Sequence, residues 1–135
     1  MYLIDTNVIS ETIKKIPNEN VIQWLSQIDI YKVYISVITI GEIRKGIEQF
    51  EHENKKQKLI QWLEIDLIEK FDGRIISIDA KTADKWGYIC SKANIPAIDA
   101  LIAASALVEN LKLVTRNTKD FDKIHGLEII NPWLL

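Results

Sequence analysis

The chain has 135 residues, 47% of them hydrophobic and 27% charged, which is typical of one soluble globular domain spanning residues 1–135. Its net charge of −2 is not the strongly basic balance of many nucleic-acid-binding domains, although short basic clusters such as Lys55–Lys58 occur. The single cysteine, Cys90, excludes an internal disulfide, and no apolar run approaches the ~20 residues of a membrane span. No basic segment typical of a signal peptide precedes the apolar start, so we expect a cytoplasmic protein without membrane contact.

Five short segments rich in β-branched residues are the strand candidates. In chain order they are Tyr2–Ile4, Val33–Val37, Ile75–Ile78, Leu111–Thr115 and a weaker one at Leu127–Ile130. Helical patterns fill the intervals between them. Strands that alternate with helices indicate βαβ units and a mainly parallel sheet.

Five stretches have apolar residues at helical spacing. They are Val21–Ile28, Ile40–Ile47, Leu59–Leu67, Ala83–Cys90 and Ala100–Val108. The last is apolar almost all round, which predicts a helix buried on several sides. In the fourth, the stripe of Ala83, Trp86, Gly87 and Cys90 predicts that Cys90 lies in the core.

Four acidic residues fall where a strand ends or a helix begins: Asp5, Glu42, Asp99 and Asp120. In an open parallel sheet the ligand crevice lies outside the carboxyl ends of the strands. We therefore expect the four carboxylates to meet at one edge of the sheet.

Each acid also has a local explanation. Asp5 could cap the helix that follows it, and Thr39 with Glu42 matches a capping box. Asp99 and Asp120 could complement helix dipoles from first-turn positions. Asp79, which also follows a strand, is predicted to be the N-cap of the next helix.

Together the four acids favour a metal site. Several carboxylates in one small space repel one another and raise each other's pKa values, so a cation is needed to keep them ionised. Ligands that are all oxygen select hard ions, Mg²⁺ or Mn²⁺. Such an ion suits phosphate substrates, and the chemistry implied is metal-dependent phosphodiester hydrolysis.

Four segments along the chain resemble, in order and spacing, the PIN-domain ribonucleases and especially the VapC-type toxins of bacterial and archaeal toxin–antitoxin pairs. They are YLIDTNVISE, ITIGEIRKGI, PAIDALIAASA and LVTRNTKDFDKIHGLEIINPW. The resemblance implies a three-layer α/β/α sandwich around a mainly parallel sheet. It also implies RNA cleavage that depends on Mg²⁺ or Mn²⁺, neutralisation by a small antitoxin protein encoded beside the toxin, and a homodimer.

The resemblance implies functional roles for the residues of this sequence that match the motifs of the family. Asp5, Glu42 and Asp99 match the first three acids of the family, which bind the metal. Thr6 and Asn7 follow the first acid as in the family, and Thr6 is expected to orient water or a ligand carboxylate, with helix capping as its alternative role.

The fourth acidic position is the least uniform in the family. Asp120 is the predicted ligand here, with Asn117 as a polar helper and Asp122 as an alternative. Arg44 and Arg116 lie near acids in the sequence and could hold the scissile phosphate of the RNA or neutralise neighbouring carboxylates.

Three other functions compete with a toxin nuclease. A phosphatase of the haloacid-dehalogenase kind needs a second Asp two residues after Asp5, where this chain has Asn7. A solitary PIN-type nuclease of RNA processing and a non-catalytic RNA- or protein-binding module on the same fold remain open. The presence of all four acids argues against the module.

Overall fold

The computed structural model of the protein describes residues 1–135. It contains five strands: β1, Tyr2–Ile4; β2, Val33–Ser36; β3, Ile75–Ile76; β4, Lys112–Val114; and β5, Ile129–Ile130. They form one sheet in the spatial order β3–β2–β1–β4–β5, and every neighbouring pair is parallel. The predicted parallel sheet is confirmed, and β1 is its central strand.

Eight α-helical segments connect or follow the strands. They are α1, Thr6–Thr12; α2, Glu19–Ser26; α3, Val37–Glu48; α4, Glu53–Gln61; α5, Ile68–Lys70; α6, Ala80–Lys92; α7, Ala97–Val108; and α8, Thr118–Phe121. A π-helical stretch, Trp62–Leu67, joins α4 to α5, and 3-10 turns occupy Ile30–Lys32 and Pro132–Leu134. None of these helices has the length and apolar character needed to cross a lipid bilayer.

Every predicted strand is present, and four of the five are shorter than predicted. The second ends at Ser36 because the Ser36 hydroxyl accepts a hydrogen bond from the Ile38 amide and begins α3 there. This cap also excludes the capping box proposed for Thr39 and Glu42, since both residues lie inside the helix.

The two faces of the sheet have separate hydrophobic cores. Side chains alternate along each strand, so Ile4 and Val114 point into one core while Leu3 and Leu113 point into the other. Helices α1–α5 and the π-helical stretch cover the first face, and α6–α8 cover the second. The predicted three-layer α/β/α arrangement is confirmed.

Helix α7 is the most deeply buried helix. Four of its five alanines, together with Ile102 and Ser105, are buried, as the apolar sequence predicted. The Ser105 hydroxyl donates to the Leu101 carbonyl, so burial leaves that polar group paired. Small side chains allow this helix to lie close to the sheet, with its first turn at the edge where the strands end.

The predicted buried face of α6 is wrong. Ala83, Gly87 and Cys90 are exposed, whereas Thr82 and Ile89 are buried and Trp86 is half-buried. The reason lies in the start of the helix, where the Asp79 carboxylate accepts hydrogen bonds from both the amide and the hydroxyl of Thr82. This cap confirms the predicted role of Asp79 and turns the Thr82 side toward the sheet.

Arg74 is buried without a carboxylate partner. Its guanidinium donates to the backbone carbonyls of Ile30, Val33 and Lys70, and it lies 5.1 Å from the ring centroid of Phe71. It therefore ties the start of β2 and the end of α5 to the segment that leads into β3.

We expect Arg74→Met to lower the free energy of unfolding by about 2–4 kcal/mol, because it removes hydrogen bonds from a charged donor and leaves buried carbonyls unpaired. Urea unfolding followed by tryptophan fluorescence measures the loss. Arg44→Met is the matched control, since Arg44 is an exposed member of surface ion pairs and its loss should cost less than about 1 kcal/mol. Equal losses in the two variants would contradict the bracing role of Arg74.

Candidate active site

Asp5 lies at the carboxyl end of the central strand and caps α1. Its Oδ1 accepts from the Thr6 amide at 2.8 Å, and its Oδ2 accepts from the Thr115 hydroxyl at 2.8 Å. Only 6% of the residue is exposed. Thr115 directly follows β4, so the side chain of Asp5 is held by residues from the ends of two neighbouring strands.

Asn7 extends this network. Its Nδ2 donates to Asp5 Oδ2 at 3.4 Å and to the Thr115 hydroxyl at 3.3 Å, while its Oδ1 accepts from the Arg116 amide at 3.3 Å. Sequence analysis predicted a supporting role for Asn7, and its contacts tie α1 to the loop that follows β4.

Glu42 reaches the same edge from inside α3. The Thr6 hydroxyl donates to Glu42 Oε1 at 2.6 Å and lies 3.1 Å from the Thr39 hydroxyl. Thr6 thus joins the helix that follows β1 to the helix that follows β2. This contact is compatible with the orienting role predicted for Thr6, which also has a backbone contact with Asp5.

Asp99 and Asp120 meet through Asn117. The Asn117 Nδ2 donates to Asp99 Oδ2 at 3.4 Å and to Asp120 Oδ2 at 3.2 Å. Asp99 is in the first turn of α7, and Asp120 is in the first turn of α8. Asp122 is exposed at the end of α8 and has no hydrogen bond to this group.

The electrostatics confirm that the acids share one space. Burial, and then the charges of Asp5, Glu42 and Asp120, raise the pKa of Asp99 to about 6 from an ordinary 3.8. Burial also raises the pKa of Asp5, and Glu42 adds to the rise, while hydrogen bonds from Thr115 and Thr6 oppose it. Asp99 and Asp5 are therefore harder to ionise, because both are buried and other carboxylates lie near them.

A cavity of about 390 Å³ opens over these residues. Its lining residues are Asp5, Thr6, Asn7, Ser10, Glu11, Lys14, Glu42, Asp99, Arg116, Asn117 and Trp133. Asp120 stands beside the cavity, in contact with Asn117 rather than in the lining. The structure thus brings together all four predicted acids and all three predicted supporting residues.

Sequence analysis missed the polar side of α1. Glu11 is buried, and its carboxylate accepts from Lys14 Nζ at 2.8 Å and from the Asn18 amide at 3.0 Å. The hydrogen bond from Lys14 lowers the pKa of Glu11. Ser10, Glu11 and Lys14 follow Thr6 and Asn7 at helical spacing, and that period was the signal that could have found them.

The two predicted phosphate-binding arginines differ in position. Arg116 lines the cavity, and its guanidinium lies 5.3 Å from the ring centroid of Trp133. Arg44 is outside it and pairs with Glu48 and Glu64 at 3.4 and 3.2 Å. The sequence allowed two roles for Arg44, and its position supports neutralisation of neighbouring carboxylates rather than contact with a phosphate in this cavity.

The donor set fits a hydrated divalent ion. All the ligand atoms on offer are oxygens, which suits a hard cation. Nowhere do three acidic, His or Cys side chains converge tightly enough to enclose an ion by themselves. Mg²⁺ commonly keeps several waters and uses only one or two protein carboxylates, so an open acidic cavity suits it better than a closed cage.

The family model described as PIN domain matches residues 2–127. The chain belongs to the PIN-domain family. Among curated relatives of this PIN domain, toxin FitB of Neisseria gonorrhoeae is 38% identical, over 98% of this chain and 99% of the relative. The VapC ribonuclease Y4jK of Sinorhizobium fredii is 31% identical, over 98% of both chains.

Solved structures agree with the fold of this PIN domain. The crystal structure of FitAcB from Neisseria gonorrhoeae has a TM-score of 0.94 at 37% identity and covers 100% of both chains. A toxin–antitoxin complex from Klebsiella pneumoniae has a TM-score of 0.74 at 27% identity, over 98% of both chains.

We expect Asp99→Asn to raise the Tm of the metal-free PIN domain by roughly 3–6 °C at pH 8. Ionised Asp99 destabilises the folded state, because its folded pKa, about 6, lies above the ordinary value of 3.8. This destabilisation is fully present above pH 6. It disappears as the pH falls below 3.8, where the carboxyl is protonated in both the folded and the unfolded state. Thermal unfolding in EDTA across this range measures the difference.

The matched control for this prediction is Asp122→Asn, which changes an exposed acid that contacts none of the others and should leave the Tm unchanged. Added Mg²⁺ should stabilise the wild type more than Asp99→Asn. A Tm difference between wild type and Asp99→Asn that does not vary with pH would contradict the repulsion between the acids.

Proposed function

We propose that this PIN domain is a metal-dependent endoribonuclease that hydrolyses phosphodiester bonds in RNA and acts as the toxin of a toxin–antitoxin pair. The observation that carries the proposal is the meeting of Asp5, Glu42 and Asp99 at the carboxyl edge of the sheet, where burial and then the neighbouring charges raise the pKa of Asp99 to about 6. Relatives that match the chain almost end to end are named ribonuclease or toxin, which supports the same conclusion.

Ribonucleases of this family depend on a metal ion, and Mg²⁺ or Mn²⁺ is the ion we propose here. Asp5, Glu42 and Asp99 would hold it, with Asp120 assisting through Asn117. When bound, such an ion polarises a phosphoryl oxygen, lowers the pKa of a water and stabilises the leaving oxygen.

The other residues of the cavity have roles that follow from their contacts. Thr115 and Asn7 hold the Asp5 carboxylate in one orientation, and Thr6 does the same for Glu42. Arg116 and Lys14 are the cations of the cavity, and they would contact phosphate oxygens of the RNA near the cleaved bond. A water attacks the phosphorus in line with the 3′-oxygen and the P–O3′ bond breaks, so the products carry a 5′-phosphate and a 3′-hydroxyl.

The partner proposed is a small antitoxin encoded beside this chain. The basis is the similarity to toxin FitB and to a chain of the Klebsiella pneumoniae toxin–antitoxin complex. A cytoplasmic location follows from an RNA substrate and an antitoxin made in the same compartment. The homodimer expected from the family resemblance stays a prediction.

We expect Asp5→Asn to lower RNA cleavage by at least about a hundredfold, because loss of even an indirect metal contact costs 10–100-fold. The measurement is cleavage of total RNA in Mg²⁺ by the purified protein, with EDTA in parallel. Asp79→Asn is the matched control, since Asp79 also lies between a strand and a helix but only caps α6.

We expect the Asp79→Asn control to retain full RNA cleavage, and we expect EDTA to abolish that cleavage as it does for the wild type. Cleavage that persists both in the Asp5→Asn variant and in EDTA would contradict the assignment of the active site. Sequencing of the fragment ends tests the chemistry separately, since 2′,3′-cyclic ends would indicate attack by the ribose hydroxyl and not by water.

In cells, induction of the wild-type chain should arrest growth, and induction of Asp5→Asn should not. Co-expression of the proposed antitoxin, the small protein encoded beside the gene, should restore growth because it binds the toxin. Optical density after induction measures both effects. Arrest by Asp5→Asn equal to that of the wild type would contradict toxicity through RNA cleavage.

A further inference from the structure

The acidic cavity is poorly suited to attract RNA by itself. Its lining contains four acids and two bases, which is a net charge of −2 when all are ionised. A polynucleotide carries one negative charge per phosphate and binds mainly through Lys and Arg. Arg116 and Lys14 are the only two cations in this cavity, so a longer strand would gain further affinity from a basic surface elsewhere on the protein.

A second cavity, of about 460 Å³, has the opposite charge. We call it the α6 groove, and its polar lining consists of Asp84, Lys85, Tyr88, Lys92, Lys123 and His125. Three lysines against one aspartate give a net charge of +2 without the histidine. The groove therefore concentrates positive charge in a protein whose total charge is −2.

Tyr88 is the central feature of the α6 groove. The residue is 59% exposed, and the ammonium groups of Lys85 and Lys92 lie 5.4 and 5.8 Å from its ring centroid. These residues are three before and four after Tyr88, so they share one side of α6. An exposed ring between two cations is the combination that binds single-stranded nucleic acid, with a base stacked on the ring and phosphates on the lysines.

The α6 groove begins next to the acids. Lys123 lines the groove, donates to the Asn94 carbonyl at 3.2 Å and has its Nζ 3.8 Å from Asp120 Oδ1. Asp120 is joined through Asn117 to Asp99 in the acidic cavity. A strand cut at the acids can therefore continue past Lys123 into the groove.

We propose that the α6 groove binds the single-stranded RNA that flanks the cleaved bond, with one base stacked on Tyr88 and neighbouring phosphates on Lys85 and Lys92. This inference rests on the proposed ribonuclease function. It assigns substrate affinity to a surface that contains none of the four acids, so affinity and chemistry can be tested independently.

Binding is measured on the Asp5→Asn protein, which retains the groove, by fluorescence anisotropy with a labelled oligouridylate of about 12 nucleotides. Tyr88→Ala should weaken binding about tenfold, which corresponds to loss of one stacked base. The double variant Lys85→Gln, Lys92→Gln should reduce the salt dependence by about 1.4 in log–log slope, as expected for two lost phosphate contacts.

In the enzyme with Asp5 intact, the same changes should raise KM for the long oligonucleotide and leave kcat unchanged. Cleavage of a dinucleotide, whose only internucleotide phosphate is the one that is cut, should not change. The matched control is Phe50→Ala with Lys55→Gln, because Lys55 lies 4.9 Å from the Phe50 ring on a different part of the surface.

Four results would overturn the proposal: equal affinity in wild type and groove variants, an equal loss in the Phe50 control, displacement of RNA by poly-glutamate as effective as by unlabelled RNA, or a changed oligomeric state on gel filtration. The last two would assign the groove to an acidic polypeptide or a second copy of the chain. Failure of the ribonuclease proposal is recognised separately, as absence of cleavage by the wild type while RNA binding persists.

Discussion

Repulsion between carboxylates that are held in one cavity is the constraint on which this structure depends. Asp5, Glu42 and Asp99 come from three different segments; burial raises the pKa values of Asp5 and Asp99, and the charge of Glu42 adds to both rises. Hydrogen bonds keep them in place, since the Thr6 hydroxyl donates to Glu42 and the Asn117 side-chain amide donates to both Asp99 and Asp120. Holding the acids together at this edge lowers the stability of the metal-free fold. A bound cation would offset that loss.

The backbone makes this arrangement possible. Because β1 is the central strand of an all-parallel sheet, Asp5 lies in the middle of the edge where the strands end. The alanine-rich α7 packs closely on one face of the sheet and brings Asp99 to that edge in its first turn. Arg116 and Lys14 lie in the cavity with the acids, whereas the three lysines of the α6 groove, Lys85, Lys92 and Lys123, lie outside it.

Much of this could be predicted from sequence because it depends on local rules. Short β-branched segments between helical patterns predict a parallel sheet, and a parallel sheet places strand-end residues such as Asp5 at one edge. The capping role of Asp79 follows from its position between a strand and a helix. These predictions needed no knowledge of distant contacts, and the structure confirms them.

Other features were decided only by tertiary packing. Ala83, Gly87 and Cys90 are small residues that fit a core or a surface equally well, so the cap at the start of α6 decided which side is buried. Arg44 and Arg116 both lie near acids in the sequence, but only Arg116 reaches the cavity. The sequence by itself determined the sheet and the acids at its edge, because strand period and helix caps are local. Only the tertiary structure decided where the long cationic side chains lie, because their partners are set by distant segments.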